Sequence, residues 1–154
     1  MPRFVLLYHD CPPNYDRPSH WDLMLECGDK LRTWALAALP SNWQTAHTRT
    51  REEHPGCPPL AESDEVITQQ LADHRRDYLE FEGNLTNNRG RVIRVEEGTL
   101  IEQWETALGW YVSLKGNAID CSIELDQCHS DESLWTLSIR ELNPDISPLE
   151  EGEE

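Results

Sequence analysis

Three side chains near the start of the chain, His9, His20 and Asp22, are of the types that hold a divalent metal ion. Imidazole nitrogen and carboxylate oxygen together suit a borderline metal such as manganese, iron or zinc. The run His20-Trp21-Asp22-Leu23-Met24-Leu25-Glu26 alternates strictly and so has two different faces as a β-strand. Trp21, Leu23 and Leu25 make a core face, while His20, Asp22, Met24 and Glu26 point the other way. His20 and Asp22 then stand roughly 7 Å apart from Cα to Cα. Phe4 to Tyr8 reads as the strand before and delivers His9 at its C-terminal end. If those strands are neighbours, two imidazoles and a carboxylate converge on one spot. The alternative is a hydrogen-bonded polar cluster at the mouth of a barrel, since His-x-Asp on a strand is common.

The elements that must position this trio are mostly short strands. Residues 10–19 carry three prolines with Asn, Asp and Ser, a turn-forming connection between the first two strands. Cys27-Gly28-Asp29-Lys30 is a hairpin signal, and Leu31 to Leu36 reads as the returning strand, with apolar residues on both faces. From Pro40 to about Asp64 the periodicity is lost, and 41–64 is expected to be a long polar loop. Val66 to Leu71 reads as a strand or a first helical turn. His74 and Tyr78 are spaced i,i+4 and share a face if that stretch is a helical turn, with Gly83 as its stop. Asn87 to Gly90 is a turn, Arg91 to Val95 a strand, and Glu97-Gly98 a second turn leading into Thr99 to Glu105. Strands follow at 110–114, 118–125 and 133–140. This pattern predicts a mainly β fold, a compact antiparallel barrel with one or two short helical segments. The barrel domain spans 1–141, and the Pro- and Glu-rich stretch 142–154 reads as an acidic, disordered tail.

The 154 residues carry 29 acidic and 13 basic side chains, a net charge of −16. Such a charge works against sequence-independent binding of long duplex nucleic acid, but not against recognition of a strand end through a few arginines. The five cysteines are odd in number and form no C-x-x-C pair, so free thiols in a reducing cytoplasm are expected. His54-x-x-Cys57 and Cys128-His129 could each supply two ligands, but neither has a matching second half. The apolar run at 4–8 is too short to cross a membrane. A monomer without membrane attachment is expected.

In combination and order, the motifs resemble one family. His9, the H-W-D-L-M-L-E segment, L-R-T-W-A at 31–35, D-H-x-x-x-Y-x-x-F-E-G at 73–83 and the later glycine-containing turn follow the pattern of the 3′-phosphoesterase domain of bacterial DNA ligase D. The recognisable match covers about residues 4–100. The resemblance implies a compact β-barrel that binds manganese, or alternatively zinc or iron, and processes 3′-terminal phosphates and ribonucleotides in strand-break repair. It assigns His9, His20 and Asp22 as metal ligands and His74 and Tyr78 as phosphate-side catalytic residues. Glu26 reads as a barrel-end residue or one that orients a ligand histidine. Arg75, Arg76 and Arg89 are candidates for phosphate contact. The implied partners are nucleic-acid 3′ ends, with a repair ligase or polymerase supplied in trans.

The chain departs from the family pattern at Ala72, where the family has a glutamate, at Leu7, where it has a glutamine, and at two cationic positions. Met24 stands where the family has an arginine facing the scissile phosphate, and Ala38 where it has a lysine. A second reading therefore stands beside the enzyme: a catalytically degenerate module that keeps the barrel and binds a metal or a strand end. A phosphoesterase acting on a small molecule is a third.

Overall fold

The computed structural model describes residues 1–142. Nine strands, β1 (Arg3–Asp10), β2 (His20–Cys27), β3 (Lys30–Leu36), β4 (Glu65–Arg75), β5 (Gly83–Asn84), β6 (Arg91–Glu105), β7 (Gly109–Gly116), β8 (Asp120–Gln127) and β9 (Leu134–Leu142), pair antiparallel throughout. Eight of them run β1-β2-β3-β4-β9-β8-β7-β6, and β6 pairs back onto β1. That closure removes the open edges and gives the antiparallel barrel the sequence predicts. The two-residue β5 lies along the first residues of β6, opposite Val92 and Arg91. No helix among the described residues is long and apolar enough to cross a membrane. The tail expected at 142–154 lies outside the described residues, apart from Leu142 at the end of β9.

Alternation divides the apolar residues between two sides of the barrel wall. Phe4, Leu6, Tyr8, Trp21, Leu23, Leu25, Trp34 and Leu36 point inward and join Leu100, Val112, Leu114, Ile123, Leu125 and Leu137 in the interior cluster. On β3 the inner face is thus the Trp34 and Leu36 face. The opposite face of β1, β2 and β3 is also buried. Val5, Leu7, Met24 and Leu31 form a second cluster there with Leu79 and Val92, flanked by Tyr78, Phe81 and Leu85. The connection from β4 to β6 folds back over the outside of the first three strands, so His20 and Asp22 sit on a covered outer face.

Three local expectations change. The stretch 41–64 is not an irregular loop: a 3-10 turn (Ser41–Trp43) leads into α1 (Gln44–Glu53). Its buried positions are Ala46, His47 and Thr50, and two of these are polar, which hides the helical period. Thr50 Oγ1 accepts the buried Trp21 indole N–H at 3.0 Å and donates to the Ala46 carbonyl at 3.0 Å. Trp43 and Ala46 join the interior cluster. Next, Glu97-Gly98 is not a turn. β6 runs unbroken from Arg91 to Glu105, and Gly98 pairs with both Phe4 and Gly116. A Cβ at Gly98 would lie 2.1 Å from the Lys115 carbonyl oxygen, so close backbone approach is what requires glycine there. Finally, His74 is not helical. It lies in β4, one residue before the strand's end and opposite Leu31, and Tyr78 lies in a separate 3-10 turn (Arg76–Leu79).

Candidate metal and anion site

The antiparallel register of β1 and β2 makes His9 and His20 direct partners and sets Asp22 opposite Leu7. The imidazoles meet edge to face with centroids 5.0 Å apart. His9, His20 and Asp22 are all about 95% buried, at 5%, 4% and 4% exposure. Polar groups so far from water need partners.

Those partners fix the tautomers. His9 Nε2 lies 2.6 Å from the Arg89 carbonyl oxygen, which only accepts, so Nε2 carries the proton and Nδ1 keeps a lone pair. By the same reasoning His20 Nδ1 donates to the Pro18 carbonyl at 2.9 Å, leaving Nε2 as the open nitrogen. That nitrogen stands 3.2 Å from Asp22 Oδ1, and Oδ1 receives no hydrogen bond among the described residues. A neutral imidazole lone pair and a carboxylate oxygen at this distance repel unless a proton or a cation lies between them.

Burial and the neighbouring charge pull His20 in opposite directions. Desolvation lowers its pKa, but the Asp22 carboxylate and the Pro18 carbonyl outweigh it, and the imidazole titrates above its ordinary value. Burial dominates at His9 and holds it below the usual range, against the Arg89 carbonyl and Asp22. Cys11 Sγ is 3.9 Å from His20 Nδ1 and 3.7 Å from the His9 carbonyl. Burial, with Asp22 and Asp10 nearby, pushes its thiol up to about 11.

One atom each from His9, Cys11 and His20 lies within 4.8 Å of the others, close enough to hold one metal ion. Among the described residues this is the one such group of three or more donors. His54 and Cys57 do not complete a second: His54 faces Asp10, and Cys57 Sγ lies 3.9 Å from His47. Asp22 is not in that group; its Oδ1 stands 3.2 Å from His20 Nε2 at the edge of it.

Compared with known proteins, the chain matches no family model and no curated protein.

A cleft of about 390 Å³ opens over the histidine pair, and its walls include His9, His20, Asp22, Met24, His74, Tyr78, Arg17 and Arg89. The sequence-predicted ligands and phosphate-side residues therefore line one cavity, although they come from β1, β2, β4 and two connections. His74 Nδ1 donates to the Ala72 carbonyl at 2.9 Å, which leaves Nε2 unprotonated in the neutral ring. Its ring meets Tyr78 edge to face at 5.4 Å. Arg89 is anchored by Nε to the Thr86 carbonyl and by Nη2 to Thr86 Oγ1.

Three other candidates stand apart from this cleft. Glu26 lies six residues beyond His20, roughly 20 Å along an extended strand. Rather than orienting a histidine, it accepts the Arg3 amide at 2.8 Å and the Arg76 guanidinium at 2.9 and 2.6 Å. Arg76 is thereby committed to Glu26. Arg75 lines a neighbouring cavity with Tyr78 and Arg89, not the cleft over the histidines. Sequence reasoning missed Cys11 and Arg17. The signal for Cys11 was its i,i+2 spacing from His9, which puts both on one side of an extended chain. Arg17 sits among prolines, where no periodicity marks it.

Proposed function

We propose that this chain is a metal-dependent phosphoesterase that acts on the 3′ ends of nucleic-acid strands. The observation that carries the reading is the buried Asp22 Oδ1, which accepts no hydrogen bond among the described residues and stands 3.2 Å from His20 Nε2 inside the cleft. This is a place for a cation, in a cavity that also holds His74, Tyr78 and two arginines.

His9 Nδ1, His20 Nε2 and an Asp22 oxygen would hold the metal, with Cys11 as a further donor. Two nitrogens and a hard carboxylate oxygen favour manganese, whereas a Cys11 thiolate would shift preference toward zinc or iron. A thiol raised to about 11 stays protonated near neutrality, which weighs against Cys11 as the leading donor. Bound there, a divalent metal supplies charge to a phosphoryl oxygen and lowers the pKa of a water.

The remaining roles belong to the chain's own side chains. His74, with its ring set by Ala72 and Tyr78, would accept a proton at Nε2 beside the phosphate and return it later in the cycle. The Tyr78 hydroxyl can donate to a phosphate oxygen. Met24 and Val92 line the cleft with apolar surface and limit water around the reacting group.

One observation favours a second reading, a binding module without turnover. Met24 is 1% exposed and lies in the cleft wall, where the family resemblance places a guanidinium. A thioether neutralises no phosphoryl charge, and losing such a contact typically costs about 3 kcal/mol of transition-state stabilisation. Phosphate release from a 3′-phosphorylated primer, with and without added manganese, separates the two. The enzyme reading expects metal-stimulated multiple turnover that His20→Ala abolishes. Metal uptake without turnover would leave the binding module.

A further inference from the structure

The cleft needs a cationic group if it is to receive an anion, because Asp22 brings negative charge and Met24 brings none. Most arginines are already committed. Arg3 pairs with Glu80 and Glu97, Arg49 with Glu96, Arg76 with Glu26, Arg94 with Glu97 and Arg140 with Glu124, while Arg32 lies over Trp110. Arg89 reaches the cleft, but two of its nitrogens are held by Thr86.

Arg17 differs. It is half-buried in the cleft wall, and its guanidinium makes no hydrogen bond and no ion pair among the described residues. In a chain with a net charge of −16, a partly desolvated guanidinium with no carboxylate partner is unusual. All five of its N–H donors remain available for a planar, bidentate contact with an oxyanion.

The connection that carries Arg17 is built onto the histidine pair. A turn closes from the Tyr15 amide to the Pro12 carbonyl at 3.0 Å. The Tyr15 ring packs edge-on against His9 with centroids 5.3 Å apart, and the Pro18 carbonyl holds His20. Ser19 Oγ accepts the Cys11 amide at 2.9 Å and ties the two ends of the connection together. Pro18 also keeps the backbone of Arg17 out of the helical region. Arg17 is thus bracketed by two residues that contact the two imidazoles, an arrangement that fixes the backbone carrying it before any ligand arrives.

We propose that Arg17, on the β1–β2 connection, is the anion-clamping residue of this cleft and grips the non-bridging oxygens of a phosphate beside His74 and Tyr78. The proposal rests on the phosphoesterase reading in taking the anion to be a phosphate group. It assigns to a connection residue the role that Met24 cannot fill.

The test uses the full chain and inorganic phosphate, with binding followed by titration calorimetry with and without manganese. Arg17→Gln is compared with Lys30→Gln, the same charge change at the distant β2–β3 hairpin, and both variants are checked for unaltered melting. Arg17→Gln is expected to weaken phosphate binding by about tenfold or more, with Arg17→Lys between it and the native chain. Lys30→Gln should change it by less than about twofold, because that charge is exposed and screened. Equal phosphate affinity in Arg17→Gln and the native chain would overturn the clamp, as would a native chain that takes up no phosphate. The outcomes also separate the clamp from the enzyme reading. Phosphate held through Arg17 without turnover of a 3′-phosphorylated primer keeps the clamp and removes the enzyme. Turnover with KM and kcat unchanged in Arg17→Gln keeps the enzyme and removes the clamp.

Discussion

His20 Nε2 and Asp22 Oδ1 lie 3.2 Å apart, both buried, and the proton on His20 is directed the other way, to the Pro18 carbonyl. When the ring is neutral two acceptors face each other, and a proton or a cation between them relieves the repulsion. In Asp22→Asn the side-chain amide can instead donate to Nε2. At a pH where His20 is neutral, the metal-free variant should then melt at or above the native temperature while losing metal affinity by about a hundredfold. Thermal melts with and without added manganese or zinc check both halves. A variant still stabilised by metal as strongly as the native chain would remove Asp22 from the ligand set.

The same pair predicts a pH dependence for the metal-free protein. His20 has a folded pKa above its unfolded value, despite burial, because Asp22 and the Pro18 carbonyl favour its charged form. Its contribution to stability is therefore complete below the unfolded value of about 6.5 and is lost as the pH rises through the raised folded value. Urea unfolding from pH 5.5 to 8.5 should show this loss in the native chain. Asp22→Asn should be flatter over the same window.

Glu26 acts on the acid side. Its partial burial works to raise its pKa, but the Arg3 amide and the Arg76 guanidinium outweigh that and hold it below the ordinary carboxylate value. This contribution is present above the unfolded value of about 4.3 and disappears as the pH falls through the lower folded one. Glu26→Gln should flatten the acid limb of the stability curve without changing metal uptake at the distant cleft. A loss of metal affinity would restore a link between Glu26 and the histidines.

Gly98 tests the closure of the barrel. An alanine Cβ would press within 2.1 Å of the Lys115 carbonyl oxygen and 2.7 Å of Gly116 Cα, both backbone atoms that cannot swing aside. Gly98→Ala should destabilise the fold by about 2 kcal/mol or more, seen as a lower urea midpoint with an unchanged slope. A neutral result would mean that β6 and β7 can separate there at little cost.

Much of the barrel and its candidate site was legible in the chain itself. Strict alternation in His20 to Glu26 set one face of β2 against the other, and Gly28, at φ +64°, marked the hairpin into β3. His9, His20 and Asp22 could be singled out because residue type and period-two spacing are local properties. Tertiary structure decided what depends on partners distant in sequence. Only the register of β1 on β2 sets His9 beside His20, and only the fold brings the Arg89 carbonyl and the Tyr15 ring, from two separate connections, onto His9. The α1 helix escaped sequence reading because its buried face uses His47 and Thr50, which satisfy themselves on Pro58 and Trp21 far along the chain. Gly98 looked like a turn because a glycine's role rests on what its missing Cβ would strike. Long-range placement likewise separates Glu26 from Arg17: one strand carries Glu26 away from the histidine pair, while a proline-rich connection brings Arg17 into the cleft beside it.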